Sequence, residues 1–109
     1  MSGDSSLPSA TMTLAEWQKY VQQKIEERGF ADESLQDKFI LLAEEVGELA
    51  KAIRPLTGVK TASDSDTLEV QHELADIFWL TAVIANKFDI DLAQAIRSKE
   101  EKNNKRVWK

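Results

Sequence analysis

Apolar residues in this chain recur at steps of three and four and do not alternate with polar ones, a spacing that calls for helices and leaves no strand signal. Four segments carry the pattern. The first is expected from about Leu14 to Arg28, with Trp17, Tyr20, Val21 and Ile25 as its stripe. Thr13 and Glu16 have capping-box spacing, and Gly29 suits a helix stop. The second is expected from about Ser34 to Arg54, capped by Asp32 or Ser34 and ended by Pro55. Its residues Phe39, Leu42, Val46, Leu49 and Ile53 predict a continuous core face. The third is expected over Thr67 to Lys87, with Asp66 and Glu69 as a capping pair and Leu74, Ile77, Thr81, Ile84 and Phe88 as its core stripe. The fourth should begin after Asp91, with Gln94 nearby, and run to about Lys105. The short link between the last two suggests antiparallel neighbours. The expected architecture is an all-α four-helix bundle over residues 13–109, behind a flexible tail at 1–12, with a long loop at 55–66.

The charge balance narrows the chemistry. A net charge of −5 argues against sequence-independent binding to nucleic acid, which needs a basic face to displace counterions. The chain has no cysteine, which removes disulfides and thiolate metal sites, and His72 is its sole histidine. No stretch approaches the roughly 18 apolar residues of a membrane span. Met1 to Thr11 is Ser-rich without an apolar run and does not read as a secretion signal, so the cytoplasm is the expected compartment. A domain of 109 residues buries a modest share of its surface, and self-association would add to it.

The informative acids are those inside apolar lines. Glu73, Asp76, Leu80 and Val83 follow one line down the third helix, acidic at one end and apolar at the other. Leu41, Glu45, Glu48 and Ala52 follow one line down the second, flanking its main core stripe. If these helices pack together, four carboxylates converge. Without a counter-charge they repel, and at least one takes up a proton near neutral pH. A hard divalent cation removes the conflict, and an all-carboxylate set suits Mg²⁺ or Mn²⁺ better than zinc or copper. The plain alternative is a pair of solvated helix faces, which a single acidic pair would favour and two paired lines do not.

Glu44-Glu45-Val46-Gly47-Glu48 followed by Glu73-Leu74-Ala75-Asp76 resembles the E-E-x-x-E … E-x-x-D signature of the MazG-like all-alpha nucleotide pyrophosphohydrolases. Lys99, Asn103, Arg106 and Trp108 look like the K-x-x-x-N-x-x-R-x-W ending common in that family, and Trp17 through Phe30 resembles its first helix. The resemblance covers roughly residues 13–108 in a single-module form. It implies a helical bundle that forms a homodimer or homotetramer, with active sites near subunit contacts. It also implies hydrolysis of a nucleoside triphosphate between its α and β phosphates.

Carried over by motif position, Glu45, Glu48, Glu73 and Asp76 are the expected metal ligands, with Mg²⁺ as cofactor and Mn²⁺ as a substitute. Glu44 and Glu45 are the expected catalytic acids, Glu44 orienting a ligand or activating water. Lys99, Asn103 and Arg106 are the expected substrate-binding residues, and Lys60 is a lesser candidate. Trp17, Trp79 and Phe30 are candidates for stacking on a base, although aromatics at helical spacing more often pack in a core. His72 is expected to be exposed or to act behind the ligands. A narrower dUTP- or dCTP-specific enzyme and a non-catalytic, metal-binding interaction module are the rival readings. A di-iron bundle is disfavoured, because neither acidic pair has the Glu-x-x-His form.

Overall fold

A computed structural model describes residues 7–57 and 67–106. It contains four α-helices: α1 (Leu14–Glu27), α2 (Leu35–Ile53), α3 (Thr67–Lys87) and α4 (Leu92–Asn104). Each end has a local cause. Thr13 and Glu16 form the full reciprocal capping box at the start of α1. Ser34 rather than Asp32 caps α2, and Asp91 caps α4 through the Gln94 amide. Asp66, expected to cap α3, lies outside the described residues.

Gly29, at φ 78°, lets α1 end in a Schellman turn, in which the Phe30 amide reaches the Ile25 carbonyl and the Gly29 amide the Glu26 carbonyl. α3 ends in the same way on Asp89 at φ 56°, with the Ile90 amide on the Ala85 carbonyl. Pro55 stops α2, and a 3₁₀ turn over Arg54–Leu56 follows. The first part of the expected 55–66 loop is therefore this turn, and residues 58–66, including Lys60, lie outside the described residues.

The all-α architecture matches expectation, and Val21 and Ile25 of the expected α1 stripe are buried; the stripes of α2 and α3 are buried less than expected. α2 and α3 form the principal pair, α1 packs on α3, and α4 meets α1. The core gathers between α1 and α3: Val21, Ile25, Ala82 and Val83, with Phe78, Trp79 and Leu92 against them. On the stripe expected to be the core of α2, Phe39 and Val46 are 63% and 50% exposed, and Ile53 is also exposed. Leu74 and Phe88 on the α3 stripe are exposed as well. Periodicity identifies an apolar face but not the surface that covers it. The radius of gyration is 17.0 Å, against about 13 Å for a compact domain of this length. No helix among the described residues is long and apolar enough to cross a membrane.

Two polar contacts fix the corners. Gln18 is buried, and its amide clasps three elements at once. Nε2 donates to Asn86 Oδ1 at 3.0 Å and to the Ile90 carbonyl at 2.8 Å, while Oε1 accepts from the Leu92 amide at 2.9 Å. Asn86 Nδ2 returns a bond to the Gln18 carbonyl. At the other corner the buried Lys38 ammonium pairs with Glu33 and lies over the Phe30 ring, and Lys87 Nζ donates to the Glu33 carbonyl. Together these bonds pin the loop between α1 and α2.

Gln18→Leu keeps the volume but strands Asn86 Oδ1, the Ile90 carbonyl and the Leu92 amide. Leaving buried polar groups unpaired costs about 1–3 kcal/mol each at most. Denaturant unfolding of Gln18→Leu is expected to show a loss of about 2–3 kcal/mol, and a loss under about 0.5 kcal/mol would dismiss the clasp.

Candidate metal centre

α2 and α3 pack side by side, and the acids lie where their faces meet. Glu45 comes from the middle of α2, and Glu73 and Asp76 come from successive turns of α3. One carboxylate oxygen from each of the three lies within 4.8 Å of the other two. Glu45 and Glu73 are half-buried and Asp76 is exposed. Glu73 Oε1 is buried and has no hydrogen-bond partner.

The electrostatics follow from that crowding. The Glu45 carboxyl is held above its ordinary range, chiefly by its hydrogen-bonding contact with Glu73. Burial and the charges of Glu73 and Glu48 add to this, and contact with Asp76 opposes it. Asp76 is also raised, first by burial and then by the charge and contact of Glu45, with His72 pulling the other way. A desolvated oxygen without a donor, in a set of acids that resist ionising together, fits a hard cation. All the donors are carboxylate oxygens, the ligand type of Mg²⁺ and Mn²⁺.

The other expected residues are placed differently. Glu48 stands outside the 4.8 Å group, exposed, with Oε2 3.9 Å from Lys51 Nζ. Its charge still reaches Glu45, and it lines a recess of about 290 Å³ with Lys51, Ala52, Glu69 and Glu73. Glu44 is exposed on α2, outside the group. Lys99 and Arg106 are exposed and Asn103 is half-buried. The two on α4, and Arg106 just beyond its end, belong to a segment that packs on α1 and none of them lines this recess. Trp108 lies outside the described residues. His72 is exposed and touches the site through its charge on Asp76.

Of the aromatic candidates, Trp17 and Trp79 both pack on Tyr20, and Phe30 lies beneath the Lys38 ammonium. Trp17 meets Tyr20 edge-on at 5.8 Å and Tyr20 meets Trp79 at 6.2 Å, while the Arg28 guanidinium lies 5.3 Å from the Trp79 ring centre. Two features escaped the sequence reading. Glu69 was legible only as a cap, although its position four residues before Glu73 puts both on one helix face. Arg28 carried no signal, since its stacking depends on how α1 crosses α3. The larger concavities are elsewhere: one between α1 and the end of α3, and an apolar groove of about 680 Å³ lined by Leu35, Phe39, Ile40, Ile84 and Phe88. Neither contains the acid group, and the crowded carboxylates are the better guide to chemistry.

Residues 33–108 match the MazG nucleotide pyrophosphohydrolase domain. The chain is also similar to the uncharacterized protein YvdC of Bacillus subtilis (strain 168), with 26% identity over 102 residues that take in 87% of this chain and 96% of the relative. With well over half of its length matched, including both acid-bearing helices, the chain belongs to the MazG nucleotide pyrophosphohydrolase domain family.

Proposed function

We propose that this protein is a Mg²⁺-dependent pyrophosphohydrolase that converts nucleoside or deoxynucleoside triphosphates to the monophosphate and pyrophosphate, clearing them from the nucleotide pool. The observation that carries the proposal is the packing of Glu45, Glu73 and Asp76 oxygens within 4.8 Å, with one of those carboxylates holding a buried, unpartnered oxygen. These three would hold the cation, with Glu48 as the fourth carboxylate of the set; Mn²⁺ has the same ligand preference. When bound, such a cation supplies positive charge to phosphate oxygens and makes water more acidic.

The residues of the chain divide the remaining work. A triphosphate carries about four negative charges near neutral pH, and the carboxylates alone would repel it. Water adds its oxygen to the α-phosphorus, and the bond from that phosphorus to the bridging oxygen breaks. Glu44, exposed beside Glu45, accepts the proton given up by the water. Lys99 and Arg106 meet the charge that develops on pyrophosphate, and Asn103 bonds sugar or phosphate.

Within one chain these three residues lie on the segment that packs on α1, apart from the acids. A second copy is the natural source of the missing arm. The exposed apolar face of Phe39, Ile40, Val46, Leu74 and Phe88 is the surface through which a homodimer or homotetramer would form.

The direct test is incubation with Mg²⁺ and each common triphosphate and deoxytriphosphate, followed by identification of the phosphate released. Pyrophosphate is expected; orthophosphate as first product would redirect the assignment, and no release at all would favour a binding module. Glu48→Gln and Asp76→Asn should keep helical content by circular dichroism and lose turnover by about 10²-fold or more. Phe39→Glu should convert the oligomer to a monomer in light scattering, and an unchanged mass would exclude that face as the contact.

The raised carboxyls give a second measurement. A carboxyl whose pKa is higher folded than unfolded contributes stability below its unfolded value, and this is lost as pH rises through the folded value. For Glu45 and Asp76 the metal-free protein is therefore penalised at neutral and alkaline pH. Mg²⁺ is expected to raise the melting temperature at about pH 8 and to have little effect near pH 4. Glu45→Gln should melt higher than the wild type without metal at about pH 8 and gain little from Mg²⁺. Equal gains at both pH values would contradict the site.

A further inference from the structure

We propose that Arg28, held over Trp79, is a further side chain that binds the phosphates beyond the α-phosphate of the substrate, in addition to Lys99 and Arg106, a role that rests on the pyrophosphohydrolase reading above. α1 runs antiparallel to α3: Gln18 meets Asn86 and Ile90 near the end of α3, and Arg28, at the close of α1, reaches back to Trp79. Trp79 is one turn beyond Asp76, a rise of about 4.5 Å along α3. The C-terminal end of α1 thus lies level with the turn of α3 that follows Asp76, and Arg28 is exposed there.

Its charge acts on the neighbouring Glu27 carboxylate only at longer range, without an ion pair. Lys24 pairs with Glu27, Lys38 with Glu33 and Lys51 with Glu48. Among the described residues no carboxylate lies within the 4.0 Å of an ion pair to Arg28. A cation at a helix C-terminus is favoured by the dipole, which accounts for a basic residue at this point. It does not account for a guanidinium 5.3 Å from the centre of an indole on another helix, itself held edge-on by Tyr20.

That contact limits the motion of an exposed guanidinium that makes no ion pair among the described residues. A planar fork of this kind makes paired bonds to phosphate oxygens that an ammonium cannot reproduce. The acid site needs such a group: the carboxylates add negative charge to an anionic substrate, and the basic residues on and after α4 lie apart from them in the same chain. Arg28 acts on the substrate directly, and Trp79 is a positioning residue that acts through it.

Isothermal titration with a non-hydrolysable α,β-methylene triphosphate in saturating Mn²⁺ separates these roles from turnover. Arg28→Gln should weaken binding by about 10- to 100-fold. Arg28→Lys should recover only part of the loss. Trp79→Phe, which keeps a ring face, should bind better than Trp79→Leu. If Trp79→Leu fails to fold by circular dichroism, the Arg28 and Trp79→Phe variants decide. Binding of the corresponding monophosphate, and of Mn²⁺ alone measured by electron paramagnetic resonance, should be unchanged by Arg28→Gln. Wild-type affinity for the analogue in Arg28→Gln overturns the proposal, as does an equal loss for the monophosphate or a loss of Mn²⁺ binding. A wild-type protein that neither binds the analogue nor releases pyrophosphate overturns the underlying enzymatic reading instead. A wild type that does both, beside an unimpaired Arg28→Gln, removes Arg28 alone.

Discussion

Carboxylate oxygens from two helices share a space only 4.8 Å across, and much else in the molecule answers to that crowding. Two negative charges this close are a large unfavourable term wherever water is partly excluded. Glu45 and Asp76 respond by holding protons more tightly than free carboxyls do. The apolar lines that carry these acids are the same ones that pair α2 with α3. Hydrophobic packing therefore supplies the free energy that keeps like charges together, and the site stores a repulsion that a cation relieves. Leu80 and Val83, at the other end of the same α3 line, are buried and hold α3 in the body of the molecule away from the charged end.

The sequence made the helices legible almost to the residue. Thr13, Ser34 and Asp91 are local signals, each needing only the amides two or three residues ahead, so their meaning does not depend on the rest of the chain. The convergence of Glu45, Glu73 and Asp76 was legible for a related reason: fixed steps on two helices put each acid on a known side. Glu48 shows where that reasoning stops. Its position on α2 agrees with the line, yet its side chain leans to Lys51, a choice among rotamers that spacing does not encode.

Burial was read less well. Phe39 and Val46 fall on a continuous apolar face, and one chain leaves them open. On α3 the buried positions include small residues, Ala82 and Ala85, beside Leu80 and Val83. Alanine in a helix gives almost no pattern signal, since it suits every position. Gln18 was invisible for the opposite reason: a glutamine in a helix reads as a solvated residue until three partners from distant positions surround it.

The Gln18 amide has a mechanical consequence. α4 leaves the body of the molecule at the Leu92 amide that this side chain holds, and α4 with Lys105 and Arg106 extends about 20 Å beyond that bond. The Leu92 end, held by this bond, by the Leu92 side chain against the core and by contact with α1, is the fulcrum of the segment. A rotation of ten degrees at the fulcrum carries Asn103 and Arg106 through about 3–4 Å, more than the length of a hydrogen bond. The reach of the basic tip is thus governed from the opposite end of the helix, by a buried amide on α1.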